Sequence, residues 1–240
     1  MNVRVLTFAS ASDAVGGAEV TLELAPGADV RALKERLERD YPSLGELWHR
    51  LAVAIDGEIV PDEAQLSDGC EVALLPPVSG GAPAEVAEAL GSKRDATRLT
   101  TAPLVADDVA RAVAAPTCGA LLVFLGNVRN HHAGRGVASI TYSAYESMAE
   151  QRIRQIESEL EAQFEGLRIA IVHRLGNIAV PESSVVIAAA SPHRDVSYDA
   201  NRLALERLKK EVPIWKREHY EDGEEAWREE ESLTVERATP

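Results

Sequence analysis

Apolar positions fall into two blocks along the chain, with a stretch between them that has little to bury. In the first block, Val3, Val5 and Phe8 with Leu6 predict a buried opening strand, and VTLEL at Val20–Leu24 predicts a second. Between them, DAVGGAE supplies hairpin-type turn residues. In PGADVRALKERLERDYP, Val30, Leu33 and Leu37 recur at helical spacing, with Asp29 as N-cap and Pro42 as stop. LAVAIDG and EVALLPP read as short strands around the turn PDEAQLSDG. Two strands, a helix and further strands predict a β-grasp unit, a sheet packed on one helix.

The second block begins with VADDVARAVAA, a short amphipathic helix. GALLVFLGNV is a near-continuous apolar run, as expected of a buried strand. RNHHAGRG reads as a polar loop and VASITYSAY as a strand. SMAEQRIRQIESELEAQF places Met148, Ile153, Ile156 and Leu160 on one helical side. RIAIVHRLG and SVVIAAAS are two more strands, DVSYDANRLALERLKKEV is a second long helix stopped by Pro213, and IWKREHY is a last strand. The expected architecture is α+β: a ubiquitin-like β-grasp domain over 1–81, a flexible linker over 82–101, and an α/β domain over 102–240 with two main helices on a mixed sheet. The linker is expected from its Ala, Gly, Glu and Ser content.

Composition narrows the function classes. A formal charge of −14 at pH 7 argues against nucleic acid as a partner, since phosphate backbones need a basic surface. Much of the acid sits in EDGEEAWREEE, expected to be a solvated face. No apolar run approaches the roughly 20 residues of a membrane span, so no membrane is expected. MNVRVLTFASAS lacks the length and basic flank of a signal peptide, and a cytoplasmic location follows as the expectation. Cys70 and Cys118 make neither a disulfide framework nor a zinc site. His131, His132, His173, His193 and His219 lack carboxylate or thiolate partners at ligand spacing, so no metal site is expected.

Cations gather at the ends of apolar elements, where functional loops lie. Arg129 follows a strand in GNVRNHH, and His193 and Arg194 stand between a strand and a helix in SPHRD. In LKKEVPIWKRE, Lys209 lies in a last helical turn, Pro213 turns the chain out, and Lys216 follows on the next strand. Singly, each has a plain structural explanation: last-turn cations complement the helix dipole, His193 starts a helix, and Trp215 is core. Together, two arginines, a histidine and two lysines describe a pocket for a phosphorylated small molecule. A lysine among cations can serve there as acid, base or nucleophile.

Residues 1–81, through SDGCEVALLPPVSGG and the terminal pair Gly80-Gly81, resemble the small sulfur-carrier (MoaD-like) subunit of molybdopterin synthase. Residues 102–235 are similar to the large catalytic (MoaE-like) subunit, through GNVRNH, YSAYESMA, VHRLG, SPHR and KKEVPIWKRE. The resemblance implies a sulfurtransferase of molybdenum cofactor biosynthesis, which converts cyclic pyranopterin monophosphate into molybdopterin. It implies no cofactor, the sulfur arriving as a thiocarboxylate on the carrier's last glycine. Carried over, Gly81 holds the thiocarboxylate and Lys209 and Lys216 are the catalytic pair. Arg129, His193 and Arg194 grip phosphate and pterin, while Asn127, Val128, Arg217 and Glu218 line the same site. The implied partners are an adenylating and sulfurating enzyme acting on the Gly-Gly tail and a second copy, as a homodimer through the C-terminal domain.

This chain departs from the family pattern in several places. Asn127 stands where the family often has Lys, and Ser143 where it often has Glu. Arg228 is the nearest counterpart of an arginine that a neighbouring subunit contributes in the family. The larger departure is that Ala82 follows Gly81, which locks in an amide the carboxyl that must be adenylated. Cutting after Gly81 resolves this, in a segment of the kind where nicking occurs. The alternative is an uncleaved fusion that binds pterin without turnover, as a storage or regulatory protein.

Overall fold

The computed structural model describes residues 1–77 and 97–228, and the chain divides into two compact units, Met1–Pro77 and Val78–Pro240. Gly80, Gly81 and most of the expected linker lie outside the described residues.

In the first unit, β1 (Asn2–Thr7) is followed by α1 (Ala9–Val15), β2 (Glu19–Glu23), α2 (Val30–Asp40), β3 (Ala52–Ile55), β4 (Glu58–Ile59) and β5 (Glu71–Leu75). The sheet order is β2-β1-β5-β3-β4, with β1 and β5 parallel at its centre. Val30, Leu33 and Leu37 of α2 bury against Val3, Val5, Val72 and Leu74, which makes this the expected β-grasp unit. Asp29 caps α2, its side chain accepting from the Ala32 N–H at 2.9 Å. The stretch expected as a hairpin turn holds a helix instead: Ala9 and Ala11 of α1 are buried, and Gly16, at φ 80°, ends the helix in the left-handed region.

In the second unit, β6 (Leu99–Thr100) and α3 (Ala106–Val113) precede β7 (Ala120–Asn127), β8 (His131–His132) and β9 (Arg135–Ala144). Then come α4 (Glu146–Gln163), β10 (Arg168–Arg174), β11 (Gly176–Ala179), β12 (Ser183–Ser191), α5 (Arg194–Glu211), β13 (Ile214–Tyr220) and β14 (Glu225–Trp227). One sheet runs β6-β10-β12-β7 and is mixed, since β6 and β10 are parallel. Its alternation explains the apolar run in SVVIAAAS. Ile187 and Ala189 face α4 and α5, whereas Val186, Ala188 and Ala190 face α3. The second sheet runs β11-β9-β13-β14, with β8 paired to β9.

Three expectations are corrected here. GALLVFLGNV is not the buried strand expected: β7 is an edge strand, and Leu121 and Leu125 are 48% and 44% exposed. Part of RNHHAGRG pairs as a hairpin, His131 with Gly136, turned by Ala133 and Gly134 at positive φ. The acidic run is the solvated face expected, Glu221–Glu225 being exposed, and part of it pairs as β14 with β13 through Arg217 and Trp227. The expected linker over 82–101 overlaps the second unit, since Leu99 pairs with His173 and Arg98 is buried.

Arg98 anchors that beginning. Its Nε donates to Glu157 at 2.8 Å, both side chains are buried, and Glu157 also accepts from the Ile171 N–H at 2.7 Å. Glu150 accepts from the backbone N–H groups of Arg98 and Leu99. Replacing Glu157 by Ala takes the carboxylate away from a buried guanidinium, a cost of about 3–5 kcal/mol. The expected result is a clearly lower urea midpoint for the second unit, read by tryptophan fluorescence; an unchanged midpoint would contradict the anchoring role.

Candidate active site

The second unit holds a cavity of about 950 Å³ where its two sheets and the end of α5 meet. Its size suits a small organic molecule. Three local rules bring its polar wall together. First, Pro213 cannot continue α5, so Lys209 stays in the last helical turn and the chain re-enters as β13. Second, β13 alternates: Lys216 and Glu218 lie on the cavity side opposite Tyr142 and Ile140 of β9. Third, β7 ends at Asn127, whose Oδ1 accepts from Ser183 Oγ at 2.6 Å, and the chain beyond it carries Arg129, His131 and His132 to the same wall.

The side chains of Arg129 and Lys209 are exposed and make no hydrogen bond or ion pair with any described residue. That sets them apart from the unit's structural arginines. Arg152 and Arg207 are both paired with Glu211, and Arg135 donates to Asp222 and Glu224 at 2.7 Å each. In a chain of net charge −14, cations left without carboxylates on a cavity wall present a site for an anion.

Behind this wall sits Glu218, buried at 4% exposure. Its carboxylate meets His132 Nδ1 at 2.8 Å and accepts from the Tyr220 hydroxyl at 2.7 Å and from Arg228 Nε at 3.0 Å. Burial opposes its ionisation, but the hydrogen bonds from His132, Tyr220 and Arg228 outweigh burial and hold its pKa below the ordinary carboxylate value. Glu218 thereby fixes two further cavity-wall groups, His132 and Arg228.

Apolar side chains line the cavity as well, among them Phe124, Leu205, Leu208, Val212 and Ile214. His173 and Tyr142 are part of the same lining, ring centroids 5.0 Å apart and edge to face at 65°. His173 is 6% exposed, and burial pushes its pKa down to about 4. Its Nδ1 lies 2.9 Å from the carbonyl of Arg174, which can only accept, so Nδ1 carries the proton. Burial raises the pKa of Tyr142.

Residues 99–211 match the MoaE protein family and residues 5–81 the ThiS family. Over 128 residues the chain is 43% identical to molybdopterin synthase catalytic subunit 1 of Mycobacterium tuberculosis, covering 53% of this chain and 87% of that protein. The chain belongs to the MoaE family. It is also 41% identical over 130 residues to the human molybdopterin synthase catalytic subunit, covering 54% of this chain and 69% of that protein. The crystal structure of molybdopterin synthase from Staphylococcus aureus superposes with a TM-score of 0.53 at 36% identity, over 55% of this chain and 96% of that one. One chain thus joins a ThiS-family unit to a MoaE unit, and its relatives place it in molybdenum cofactor biosynthesis.

Of the residues expected at the site, the MoaE unit brings Asn127, Arg129, Lys209, Lys216 and Glu218 to one cavity. Four others are elsewhere. Val128 is buried beneath the second sheet with Val137, Ile140 and Ile178, because it points the opposite way from its neighbours at the end of β7. Arg217 falls on the far face of β13, stacked 4.4 Å from the Trp227 ring centroid. His193 and Arg194 start α5, whereas Lys209 ends it; 15 residues at 1.5 Å each separate Arg194 from Lys209 by about 22 Å. Gly81 lies outside the described residues. Sequence reasoning assigned no role to His131, His132, His173, Tyr142 or Ser184, all of which line the cavity, as does Arg228. The signals were the pair after Asn130, the alternation of β9 and the histidine of VHRLG.

His173 gives a pH prediction. Its folded pKa of about 4 lies below the unfolded value of 6.5, so above 6.5 neither state binds the proton. As pH falls, the unfolded chain protonates first and stability is lost until about pH 4. Between pH 7 and pH 5 the loss from this residue is about 2 kcal/mol. Urea melts at the two pH values should differ by that much more in the unaltered chain than in His173→Phe; an equal difference in both would contradict the buried neutral imidazole.

Proposed function

We propose that this chain is a fused molybdopterin synthase that transfers sulfur from a glycine thiocarboxylate at Gly81 to cyclic pyranopterin monophosphate, forming the dithiolene of molybdopterin. The observation that carries the reading is the pair of unpartnered cations, Arg129 and Lys209, on one cavity wall with Lys216. Arg129 binds the phosphate. The thiocarboxylate sulfur attacks an electrophilic carbon of the substrate, and the oxygen leaving that carbon takes a proton from a lysine ammonium, which also stabilises the developing charge. The second lysine serves ring opening of the cyclic phosphate or hydrolysis of the acyl link left after transfer. Replacing Lys209 or Lys216 by Ala should lower the sulfur-transfer rate by about 100-fold or more, with an unchanged thermal midpoint. Near-normal rates in both variants would end the reading.

Gly81 becomes a donor only as a chain end, so the peptide bond to Ala82 is cut and the two pieces stay associated. An adenylating and sulfurating enzyme then acts on the new terminus. Intact mass of the protein from its own cells tests this step. The expected species are two, one ending at Gly81 and partly heavier by the exchange of oxygen for sulfur. A single full-length mass with full sulfur transfer would contradict it.

His193 and Arg194 enter the site from a second copy. The 22 Å or so along α5 keeps them from Lys209 of their own chain. A two-fold pair with antiparallel α5 helices would set each Arg194 against the partner's cavity. The exposed Leu121 and Leu125 on the free edge of β7, beside α5, supply an apolar seam for that pair. Mixing the inactive variants Lys209→Ala and Arg194→Ala should restore about a quarter of the activity, because half the dimers are mixed and each has one intact site. No recovery on mixing, with dimers present by light scattering, would return both groups to their own chain.

A further inference from the structure

The cavity wall holds a hydrogen-bonding atom that the proposed chemistry does not use. We infer that Nε2 of His173 accepts a hydrogen bond from a ring N–H of the bound heterocycle, and that this contact decides which heterocycle enters and which way round it lies. The inference rests on the pterin reading above and goes beyond it, since that reading concerns the anionic end of the ligand.

The geometry leaves Nε2 one role. Nδ1–H is taken by the Arg174 carbonyl at 2.9 Å, so Nε2 carries a lone pair and no proton. No described residue donates to it. Nor is it sealed in, because the fully enclosed side-chain atoms without a partner are Trp48 Nε1 and Ser143 Oγ. His173 is 6% exposed and lines the cavity, so its remaining access is from the cavity.

The imidazole is also held still. Its backbone pairs on both sides, with Val185 of β12 and Leu99 of β6, and its N–H donates to the Arg98 carbonyl at 2.8 Å. Tyr142 packs its ring against the imidazole, edge to face. A rigid, buried acceptor disfavours ligands that cannot donate to it, because its lone pair would be desolvated without compensation. With a pKa of about 4 the ring stays neutral near neutral pH and offers an anion nothing, which leaves the phosphate to Arg129 and Lys209. The ligand is thereby oriented, anion toward those cations and ring N–H toward His173.

The test uses the full-length chain and isothermal titration with cyclic pyranopterin monophosphate, and with analogues methylated singly at each ring N–H. His173→Phe keeps the ring volume and the contact with Tyr142 but removes the acceptor; His173→Gln retains one. The expected result is that His173→Phe binds about 10- to 100-fold more weakly, while His173→Gln recovers most of the loss. One methyl position should weaken the unaltered chain by a similar factor and leave His173→Phe indifferent, a coupling that a purely structural role would not produce. In the unaltered chain, the 15N resonance of His173 Nε2 should shift on saturation with the pterin, a readout independent of how the variants fold. Equal binding by His173→Phe, methyl penalties identical in both proteins, or an unmoved Nε2 resonance would each overturn the assignment while leaving the synthase reading intact. An unaltered chain that does not bind the pterin at all would overturn both.

Discussion

The turn at Pro213 is the constraint on which the cavity depends. Proline has no N–H to extend α5 and its ring would collide with the preceding turn, so the chain must leave the helix within two residues of Glu211. Val212 and Trp215, both buried, pin the two sides of the turn, and Tyr145 donates its backbone N–H to the Pro213 carbonyl. Across these few residues the side-chain period changes from 3.6 to 2. Lys209 is placed by the first period and Lys216 by the second, and only a sharp, buried turn keeps them on one cavity.

Charge in the MoaE unit is sorted by use. Arg98, Arg152, Arg174 and Arg207 are each matched with carboxylates and tie helices and strands together. Arg129 and Lys209 have no such partner among the described residues. Glu218 belongs to both groups: it is a buried carboxylate satisfied by three donors, and two of those donors, His132 and Arg228, form cavity wall. Removing it would disturb the site without touching a ligand, since a buried carboxylate with several partners acts through their positions.

Elements with a strong local period were legible in the sequence. Val30, Leu33 and Leu37 marked α2, Ile153, Ile156 and Leu160 marked α4, and Asp29 acts as the cap its type suggests. Short pieces were not: α1 is seven residues of small side chains, and β8 and β14 exist only through their partners β9 and β13. At the site, the lysines and Arg129 were legible because cations at element ends stand out against an acidic chain. His173 was not, because in RIAIVHRLG it reads as one more buried strand position.

By itself the sequence determined two units of known pattern, the helix and strand periods within them, and the motifs on either side of Pro213, because these depend on neighbours a few residues away. The tertiary structure decided which of the motif residues meet. Residues adjacent in sequence were separated: Val128 from Arg129 and Arg217 from Lys216, because successive strand positions face opposite sides. Residues far apart were joined: His173, Tyr142 and Lys209, from a strand of each sheet and a helix end, share one cavity. Arg194 and Lys209, in one helix, were held at opposite ends by its fixed rise. Only the packing of sheet against sheet and helix settles such relations, since no short-range pattern encodes them.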